Sequence, residues 1–177
     1  HQKEDDKKTS RRGQPPIYLT INPQAFSAIG IAISTSIYIS MVDGCGEVTK
    51  TIQIPNTLVD NALEAINQIC IEVKKLLKSS KGKNLGIGLT TTGTFTENKD
   101  LLYSSYYTGG PGTRKLLIKN LEYLNNGPVF SELIANVYPL AEYQAHPELR
   151  DNKTFLCVSE RLGLGGLWEG KLISGSR

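Results

Sequence analysis

Residues 28–54 of this chain read AIGIAISTSIYISMVDGCGEVTKTIQI, and this stretch decides the fold. Ala28–Ser34, Ile37–Val42 and Val48–Ile54 are rich in apolar and β-branched residues over the length of a strand. Asp43–Glu47, DGCGE, joins the second segment to the third, and its glycines suit a hairpin turn. The stretch therefore predicts three consecutive strands arranged as a meander.

A long amphipathic helix is predicted directly after the third strand, over Thr57–Lys78. Thr57 is the expected cap of its first turn, with Asp60 three residues further on in the manner of a capping box. Lysines near its C-terminal end favour the helix dipole, and Gly82 ends it. The apolar residues that follow the helical period of about 3.6 are Leu58, Ala62, Ile66, Ile69, Val73, Leu76 and Leu77.

The rest of the chain alternates short strands with helices. Helices are predicted at Thr113–Leu124 and Leu133–Gln144, and flexible loops at 90–93 and 106–112. Strands are predicted at Leu85–Leu89, Pro128–Phe130 and Thr154–Ser159, as a hairpin around Glu169-Gly170, and upstream at Ile17–Ile21 before an Asn22-Pro23 turn. From the meander onward the order is β-β-β-α-β-α-β-α-β-β, which indicates a mixed sheet with helices on its faces.

The composition describes one globular domain with its own core. Of 177 residues, 39% are hydrophobic and 21% charged, and no apolar run reaches the roughly 20 residues of a membrane-spanning helix. The net charge of +3 is too small to indicate nucleic-acid binding. Cys45, Cys70 and Cys157 are odd in number and far apart, so they form neither a disulfide framework nor a CxxC metal site. A reducing, cytoplasmic setting without membrane contact is therefore expected.

The N-terminal segment, residues 1–16, reads HQKEDDKKTSRRGQPP. It is polar and ends in two prolines, which is typical of a linker or tail. Its basic residues are interleaved with acids, so we prefer a solvated linker to contact with a phosphate backbone. The chain begins with His1 and its only methionine is Met41, so we expect further sequence before residue 1.

Five stretches, taken in order, match the phrases of one protein family. They are RRGQPPIYLTINPQAFSAIGI at 11–31, IYISMVDGCGEV at 37–48, LGIGLTTTG at 85–93, PVFSELIANVYPLAE at 128–142 and LGLGGLWEGKLISG at 162–175. Through them the chain resembles the ROK family, which contains bacterial sugar kinases and sugar-responsive transcription repressors. The first stretch is similar to the phrase that joins a DNA-binding domain to the sensor in the repressors.

The resemblance implies an α/β fold of the actin-like, ribonuclease H-like type, with two lobes around a cleft. On this interpretation residues 1–16 are the linker and residues 17–146 form the first lobe. Residues 147–177 are then the start of a second lobe that is cut short. The stretch at 11–31 favours the regulator branch of the family over the kinases.

Departures from the family pattern predict that the kinase chemistry is lost. The kinases carry a DIGGTK-type loop whose glycines let the backbone approach ATP phosphates, whereas Ala32–Ile37 read AISTSI. The kinases carry an Asp that takes the proton from the sugar hydroxyl, whereas this chain has Ile134, preceded by Leu133 in place of Asn. Glu160-Arg161 also stand where the family has Gly-Thr. The prediction is therefore no catalytic residue and no cofactor.

Four residues are candidates for ligand binding by resemblance. Thr92 and Gly93 follow the fourth strand, in a loop whose counterpart lines the ligand cleft, and Asn136 and Glu142 match the Asn and Glu of the family stretch at 128–142. Purely structural roles remain open for them, as a strand-end loop and as hydrogen-bonding residues of a helix. His146 precedes a proline and is expected at the end of a helix. No metal site is predicted.

The sequence thus predicts a non-catalytic sensor or effector domain of a ROK-type repressor of sugar metabolism. The resemblance implies a sugar or sugar-phosphate effector, a homo-oligomer, and DNA contact only through a missing N-terminal helix-turn-helix. Two alternatives remain open. One is a diverged sugar kinase that uses other residues; the other is a dimerisation or interaction module that no longer binds sugar.

Overall fold

The computed structural model describes residues 18–95, 101–103, 111–158 and 163–173. These residues form a five-stranded sheet, a three-stranded sheet and a two-stranded ribbon, with helices packed on them. The strands are β1 Phe26–Ile33, β2 Ser36–Asp43, β3 Val48–Pro55, β4 Lys83–Thr91, β5 Thr94–Phe95, β6 Leu101–Tyr103, β7 Val129–Leu133, β8 Thr154–Val158, β9 Leu164–Trp168 and β10 Lys171–Leu172. The helices are α1 Ala62–Ser79, α2 Pro111–Asn125 and α3 Ile134–Ala145, followed by a 3-10 turn at Pro147–Asp151.

The main sheet has the strand order β3-β2-β1-β4-β7. β1, β2 and β3 are antiparallel neighbours, which confirms the predicted meander. β4 and β7 run parallel to β1, so the carboxyl ends of these three strands point the same way. A mixed α/β sheet results, as the alternation of elements predicts.

The hydrophobic core packs against one face of this sheet. Successive residues of a strand point to opposite faces, so alternate residues of β1 reach the core. Ile29, Ile31 and Ile33 of β1 are 1% exposed or less, whereas the residues between them, Gly30 and Ala32, face the other side. The buried core residues packed with these isoleucines include Ile37, Ile39, Ile66, Ile69, Val73, Leu76, Ile87, Leu89, Leu117 and Leu121.

The first helix begins later than its apolar pattern suggests. Asn61, not Thr57, is the N-cap: its Oδ1 accepts from the backbone N–H of Glu64 at 3.2 Å, and its Nδ2 donates to Glu64 Oε2 at 2.9 Å. Asp60 and Asn61 instead donate their backbone N–H groups to the carbonyl of Thr57, which closes a turn before the helix. Leu58 is fully buried from that turn, so its apolar character extended the predicted helix too far.

The strand predicted at Ile17–Ile21 is wrong. Tyr18, Leu19 and Ile21 belong to no strand and are 84%, 94% and 64% exposed; Ile17 lies outside the described residues. Both edges of β1 are taken by β2 and β4, so this alternating segment finds no neighbour to pair with beside β1. The turn at Asn22-Pro23 is confirmed, since Ala25 N–H donates to the carbonyl of Asn22 at 3.0 Å.

The second half of the chain follows the predicted order with shifted bounds. β4 extends to Thr91. α2 starts at Pro111, so residues 111 and 112 of the loop predicted at 106–112 are helical, while residues 106–110 lie outside the described part. The β5–β6 ribbon and the 3-10 turn were not predicted, being too short for a periodic signal. The hairpin around Glu169-Gly170 is confirmed by the pairing of β9 with β10.

α3 connects the two sheets by packing against β4 and β7 of the main sheet and against β8 and β9 of the smaller one. Its end matches the prediction for His146, which is the C-cap and donates its backbone N–H to the carbonyl of Glu142 at 2.9 Å. The lobe boundary at 146/147 stays a prediction. Of the helices described, none combines the length and the apolar character that crossing a membrane requires.

Candidate functional site

Three parallel strands of the main sheet end side by side. Ile33 of β1 pairs with Thr91 of β4, and Thr91 pairs with Leu133 of β7. The segments that follow these three residues therefore begin at one edge of the sheet. In α/β sheets, ligands bind outside the carboxyl ends of parallel strands, which makes this edge the candidate site.

The segment after β1 is a closed turn. Ser34 donates both its backbone N–H, at 3.0 Å, and its hydroxyl, at 3.1 Å, to the carbonyl of Ser36. Asn56 Nδ2 donates to the carbonyl of Ser34 at 2.6 Å and holds the turn from outside. A phosphate loop needs backbone N–H groups that are free to reach an anion, and the N–H of Ser34 is already used.

The end of β4 and the segment after it carry Thr90, Thr91, Thr92 and Gly93. Thr91 is 1% exposed, and its hydroxyl donates to the carbonyl of Thr92 at 3.2 Å. The hydroxyl oxygens of Thr90 and Thr92 are buried without a hydrogen-bond partner among the described residues. Gly93 has φ +142°, a conformation that side-chain-bearing residues rarely adopt. Thr90 at the end of β4 and Thr92 just after it thus carry buried hydroxyls that have no hydrogen-bond partner among the described residues.

β7 runs directly into α3, and a carboxylate organises the junction. Leu133 occupies the N-cap position of α3 and makes no side-chain capping bond. Glu132 Oε1 accepts from the backbone N–H of Leu133 at 2.9 Å and from Asn136 Nδ2 at 3.0 Å. Glu132 is also the register partner of Thr90 on β4. This carboxylate is held as a hydrogen-bond acceptor and faces the same side of the sheet as Thr90.

A cavity of about 940 Å³ adjoins this junction. Its volume lies within the range of small-molecule pockets. Small residues of β1 and β4 form its floor, Val137 and Ala141 of α3 contribute to its wall, and Arg114 of α2, 8% exposed, adds a positive charge. The remaining residues that matter for its chemistry are Gly30, Ala32, Gly88, Thr90, Ser131 and Glu132. The cavity is mainly apolar with a few polar groups, a composition suited to orienting a small polar molecule.

The predicted site residues fall into two places. Thr92, Gly93 and Asn136 lie at the carboxyl edge, with Asn136 bonded to Glu132. Glu142 lies near the far end of α3, is exposed, and has its Oε2 3.4 Å from His146 Nε2. None of the four lines the cavity itself. Their binding roles stay predictions, and Glu142 is separated from the other three.

Glu132 is the residue that the sequence reasoning missed, whereas Thr90 belongs to the loop predicted at 90–93, whose counterpart lines the ligand cleft in the family. Glu132 stands two positions before Ile134 in the stretch at 128–142, at the first Glu of the family phrase, so a signal for it was present. The position of Thr90 beside Glu132 had no sequence signal, because only the β4–β7 register brings the two together.

His146 lies between two carboxylates at the end of α3. Its Nδ1 is 3.1 Å from Glu148 Oε1, in addition to the contact of Nε2 with Glu142. The pKa of Glu148 is lowered by a hydrogen bond from its own backbone N–H and by the His146 side chain. Within the described ranges no group of three or more His, Cys, Asp or Glu residues is arranged to hold a metal ion.

No family model matches the sequence, and no curated protein matches it at a significant level. Solved structures do match. A ROK family transcriptional regulator, a homolog of the E. coli MLC protein, superposes with a TM-score of 0.70 at 19% identity over 93% of this chain. The ROK hexokinase of Thermus thermophilus superposes at 0.64 with 20% identity over 85% of this chain. The chain has the ROK fold.

A third match is the ROK family glucokinase of Streptomyces griseus, solved with glucose and AMPPNP, at a TM-score of 0.65 and 21% identity over 85% of this chain. The chain spans 42% of the regulator, 50% of the hexokinase and 47% of the glucokinase, so it corresponds to half or less of each. The predicted ROK resemblance and actin-like fold class are confirmed. A regulator and two kinases match similarly well, so the ROK fold does not separate these functions.

Proposed function

We propose that this chain is a non-catalytic sensor or effector domain of a ROK-type transcriptional regulator of sugar metabolism, in the repressor branch. The observation that carries the proposal is the apolar pair Leu133–Ile134 at the start of α3. By resemblance, Ile134 occupies the position of the carboxylate that accepts the proton of the sugar hydroxyl. An isoleucine side chain accepts no proton, and general-base catalysis contributes about 10²–10⁴ in rate.

The β1–β2 turn also supports a non-catalytic domain, because its hydrogen bonds oppose nucleotide binding. By resemblance this turn occupies the place of the kinase phosphate loop. The backbone N–H and hydroxyl of Ser34 are both bonded to Ser36 within the turn. Binding a phosphate there would require these bonds to break, so we expect weak nucleotide binding.

The effector that we propose is a sugar or sugar phosphate bound at the carboxyl edge, with Thr92, Gly93 and Asn136 as contacts. Buried hydroxyls without partners on Thr90 and Thr92 support a hydroxyl-rich ligand. Leu133 and Ile134 oppose tight binding of free hexoses, since each sugar hydroxyl left unpaired costs roughly 1–3 kcal/mol. Glu142, exposed and close to His146, is the weakest of the proposed contacts.

The binding partners and the cellular location of this chain are also proposals. The linker-like phrase in residues 11–16 supports the proposal that DNA contact occurs only through an N-terminal helix-turn-helix, and we propose that the regulator forms a homo-oligomer. A cytoplasmic location agrees with Cys45, Cys70 and Cys157, which are free thiols as a reducing compartment keeps them.

The first alternative, a diverged sugar kinase, is supported by the fold, since ROK kinases match as well as the regulator does. It needs a carboxylate that reaches the sugar. Glu132 is the candidate, because it lines the cavity near the carboxyl edge. Its bonds to Leu133 and Asn136 oppose a role as proton acceptor.

The second alternative, an interaction module without a sugar ligand, is favoured by the same apolar pair, Leu133–Ile134. It differs from the sensor in one respect, which is the absence of any effector. Restoring a polar pair at these positions distinguishes the two, because the restored variant acquires a sugar site only where the surrounding groups are still suited to one.

Two assays test the proposal together. A coupled assay for ADP, with ATP and glucose, N-acetylglucosamine, fructose or N-acetylmannosamine, should show no sugar-dependent release. Calorimetry should show weak or no hexose binding to the natural chain and at least ten-fold tighter binding to the double variant Leu133→Asn, Ile134→Asp. The control variant is Leu140→Asn, an exposed apolar position of the same helix, which should leave affinity unchanged.

Each outcome has one meaning. Sugar-dependent ADP release that is lost in Glu132→Gln would establish the kinase alternative. Micromolar hexose binding by the natural chain would contradict the expected loss of affinity at Leu133–Ile134. A correctly folded double variant that binds no sugar or sugar phosphate would favour the interaction module.

A further inference from the structure

One dipeptide between α2 and β7 has a chemical reactivity that the proposed function does not use. Asn126-Gly127 is the only Asn-Gly pair in the chain, and it follows Asn125, the last residue of α2. In such a pair the backbone nitrogen of the glycine can attack the side-chain amide carbon of the asparagine, because no β-carbon on the glycine hinders the approach. Whether the attack occurs in a folded chain depends on how firmly the two reacting groups are held.

The side chain of Asn126 is not held by a hydrogen bond to any other described residue. Asn126 follows the helix in the left-handed conformation, with φ +46°, a geometry that commonly ends helices. This conformation is uncommon for residues with a side chain, although asparagine is among those that tolerate it best. Asn126 can therefore rotate until its side chain meets the next backbone nitrogen, and no side-chain hydrogen bond has to break.

The attacking group, the backbone nitrogen of Gly127, is not engaged either. Among the described residues its N–H donates to no carbonyl and to no side chain. The next residue, Pro128, accepts with its carbonyl from Ile87 N–H at 3.1 Å, which fixes the start of β7 to β4. Both reacting groups therefore lie in a short turn between the end of α2 and the first bond of β7.

A closely related dipeptide in the same chain is protected. Asp43-Gly44 lies in the hairpin between β2 and β3, and Gly44 N–H donates to the carbonyl of Pro23 at 2.9 Å. The carboxylate of Asp43 is held as well, since its Oδ1 accepts from the backbone N–H groups of Cys45 at 2.9 Å and Glu47 at 3.0 Å. Ring closure in the hairpin would break all three bonds, whereas the pair after α2 has no such bond to lose among the described residues.

We propose that Asn126-Gly127 is a self-modification site, at which the folded chain converts its own asparagine to aspartate and isoaspartate. The backbone nitrogen of Gly127 forms a bond to Cγ of Asn126, and the side-chain nitrogen leaves as ammonia with the proton of the Gly127 N–H. Water then opens the five-membered succinimide ring. Opening at the side-chain carbonyl gives aspartate, and opening at the backbone carbonyl gives isoaspartate. One water is consumed and one ammonia released, and no other reactant is needed.

The product differs from the starting chain in charge and in backbone length. The new carboxylate lies at the C-terminal end of α2, where the helix dipole disfavours negative charge and where the last turn contains no basic residue. Isoaspartate also adds one carbon to the backbone directly before Pro128, whose carbonyl fixes β7 to β4. We therefore expect the modification to weaken the start of β7, the strand that carries Glu132.

Incubation of the purified chain at 37 °C and pH 7.4 tests the reaction. Peptide mass spectrometry should show the exchange of NH2 for OH at Asn126, and an isoaspartate-specific methyltransferase should label the same peptide. The rate should rise from pH 6 to pH 8, because the attacking nitrogen must lose its proton. The unreactive reference is Asn126→Gly, which keeps a residue suited to the left-handed conformation and should give neither signal.

The matched control is Asp43→Asn, which creates a second Asn-Gly pair in the hairpin. Its side-chain oxygen can still accept from Cys45 and Glu47, so circular dichroism should show an unchanged fold. In the folded variant Asn126 should react at least ten-fold faster than the asparagine introduced at position 43. In urea the two should react at similar rates, because only the folded structure distinguishes them.

The outcomes separate the parts of the proposal. Equal rates at the two positions in the folded variant would mean that the hydrogen bonds do not select the site. A natural chain that reacts at Asn126 in urea but not when folded would show that the turn protects the pair, and would overturn the proposal without the variant. A modified chain that melts at the same temperature as the incubated Asn126→Gly reference would contradict the expected weakening of β7.

Discussion

Gly165 and Pro139 form a matched pair at the contact between the two sheets. Pro139 lies inside α3 and has no N–H, so the carbonyl of Ala135, four residues earlier, lacks its helical donor. Gly165 approaches that same carbonyl so closely that a side chain would collide with it. One residue leaves the carbonyl open and the other allows the strand to approach it, which lets the smaller sheet pack directly on the first turns of α3.

Gly165→Ala should therefore destabilise the protein by about 1–3 kcal/mol, the usual cost of inserting a methyl group into a tightly packed contact. Urea denaturation followed by far-UV circular dichroism measures the change. The matched control is Gly112→Ala in α2, where a side chain meets nothing within 4 Å. That variant should gain up to about 1 kcal/mol, because alanine is the better helix former. Equal effects of the two substitutions would refute the close packing at Gly165.

At the scale of elements, α1 depends on a reciprocal cap. Asn61 and Glu64 exchange a backbone and a side-chain hydrogen bond, and the helix they start buries Ile69, Val73 and Leu76 completely. The turn before it hides Leu58 against the same core. The apolar pattern over residues 58–77 thus covers two structural elements, a turn and a helix, and Asn61 marks the boundary between them.

Asn61→Ala should cost about 0.5–2 kcal/mol of unfolding free energy, as is usual for loss of an N-cap. Thr57→Ala, at the cap position that the sequence pattern favours, should cost less than about 0.5 kcal/mol because Thr57 is exposed. Both values come from chemical denaturation at the same pH. A larger loss in Thr57→Ala than in Asn61→Ala would mean that the helix starts at Thr57 in solution.

At the scale of the whole molecule, the described elements offer no helix suited to reading DNA. Sequence-specific recognition needs an element that enters a groove and presents side chains to base edges. α1 turns Ile66, Ile69 and Val73 into the core, and its lysines are concentrated towards its C-terminal end. We therefore predict that these elements do not read a DNA sequence.

In a gel-shift experiment the 177-residue chain should bind any DNA weakly or not at all. Binding to the basic residues of the linker should vanish between 50 and 200 mM salt and should not depend on sequence, since phosphate contacts are salt-sensitive and sequence-blind. Discrimination of one site from random DNA by the 177-residue chain alone, at physiological salt, would contradict the proposed division of roles.

A structural feature was predictable from the sequence when the residues that determine it lie close together in the chain. The meander, α1 and the order of later elements were predictable because turns and apolar periodicity act between residues close in the chain. The segment at Ile17–Ile21 has the same local alternation and forms no strand, because a strand also needs a free neighbouring edge. The residues of the carboxyl edge were predictable in part, since Thr92, Gly93 and Asn136 belong to recognisable phrases.

By itself the sequence determined most of the element types and the ROK resemblance, and it predicted the loss of a carboxylate at Ile134. All of these rest on short stretches. Only the tertiary structure decided that Ile33, Thr91 and Leu133 end side by side and that Glu132 holds both Leu133 and Asn136. It also decided that Phe155, Cys157 and Leu167 share one face of the smaller sheet, against which α3 packs. Strand register and the choice of covered face depend on contacts between residues far apart in the chain, and these form only when the sheets and α3 pack together.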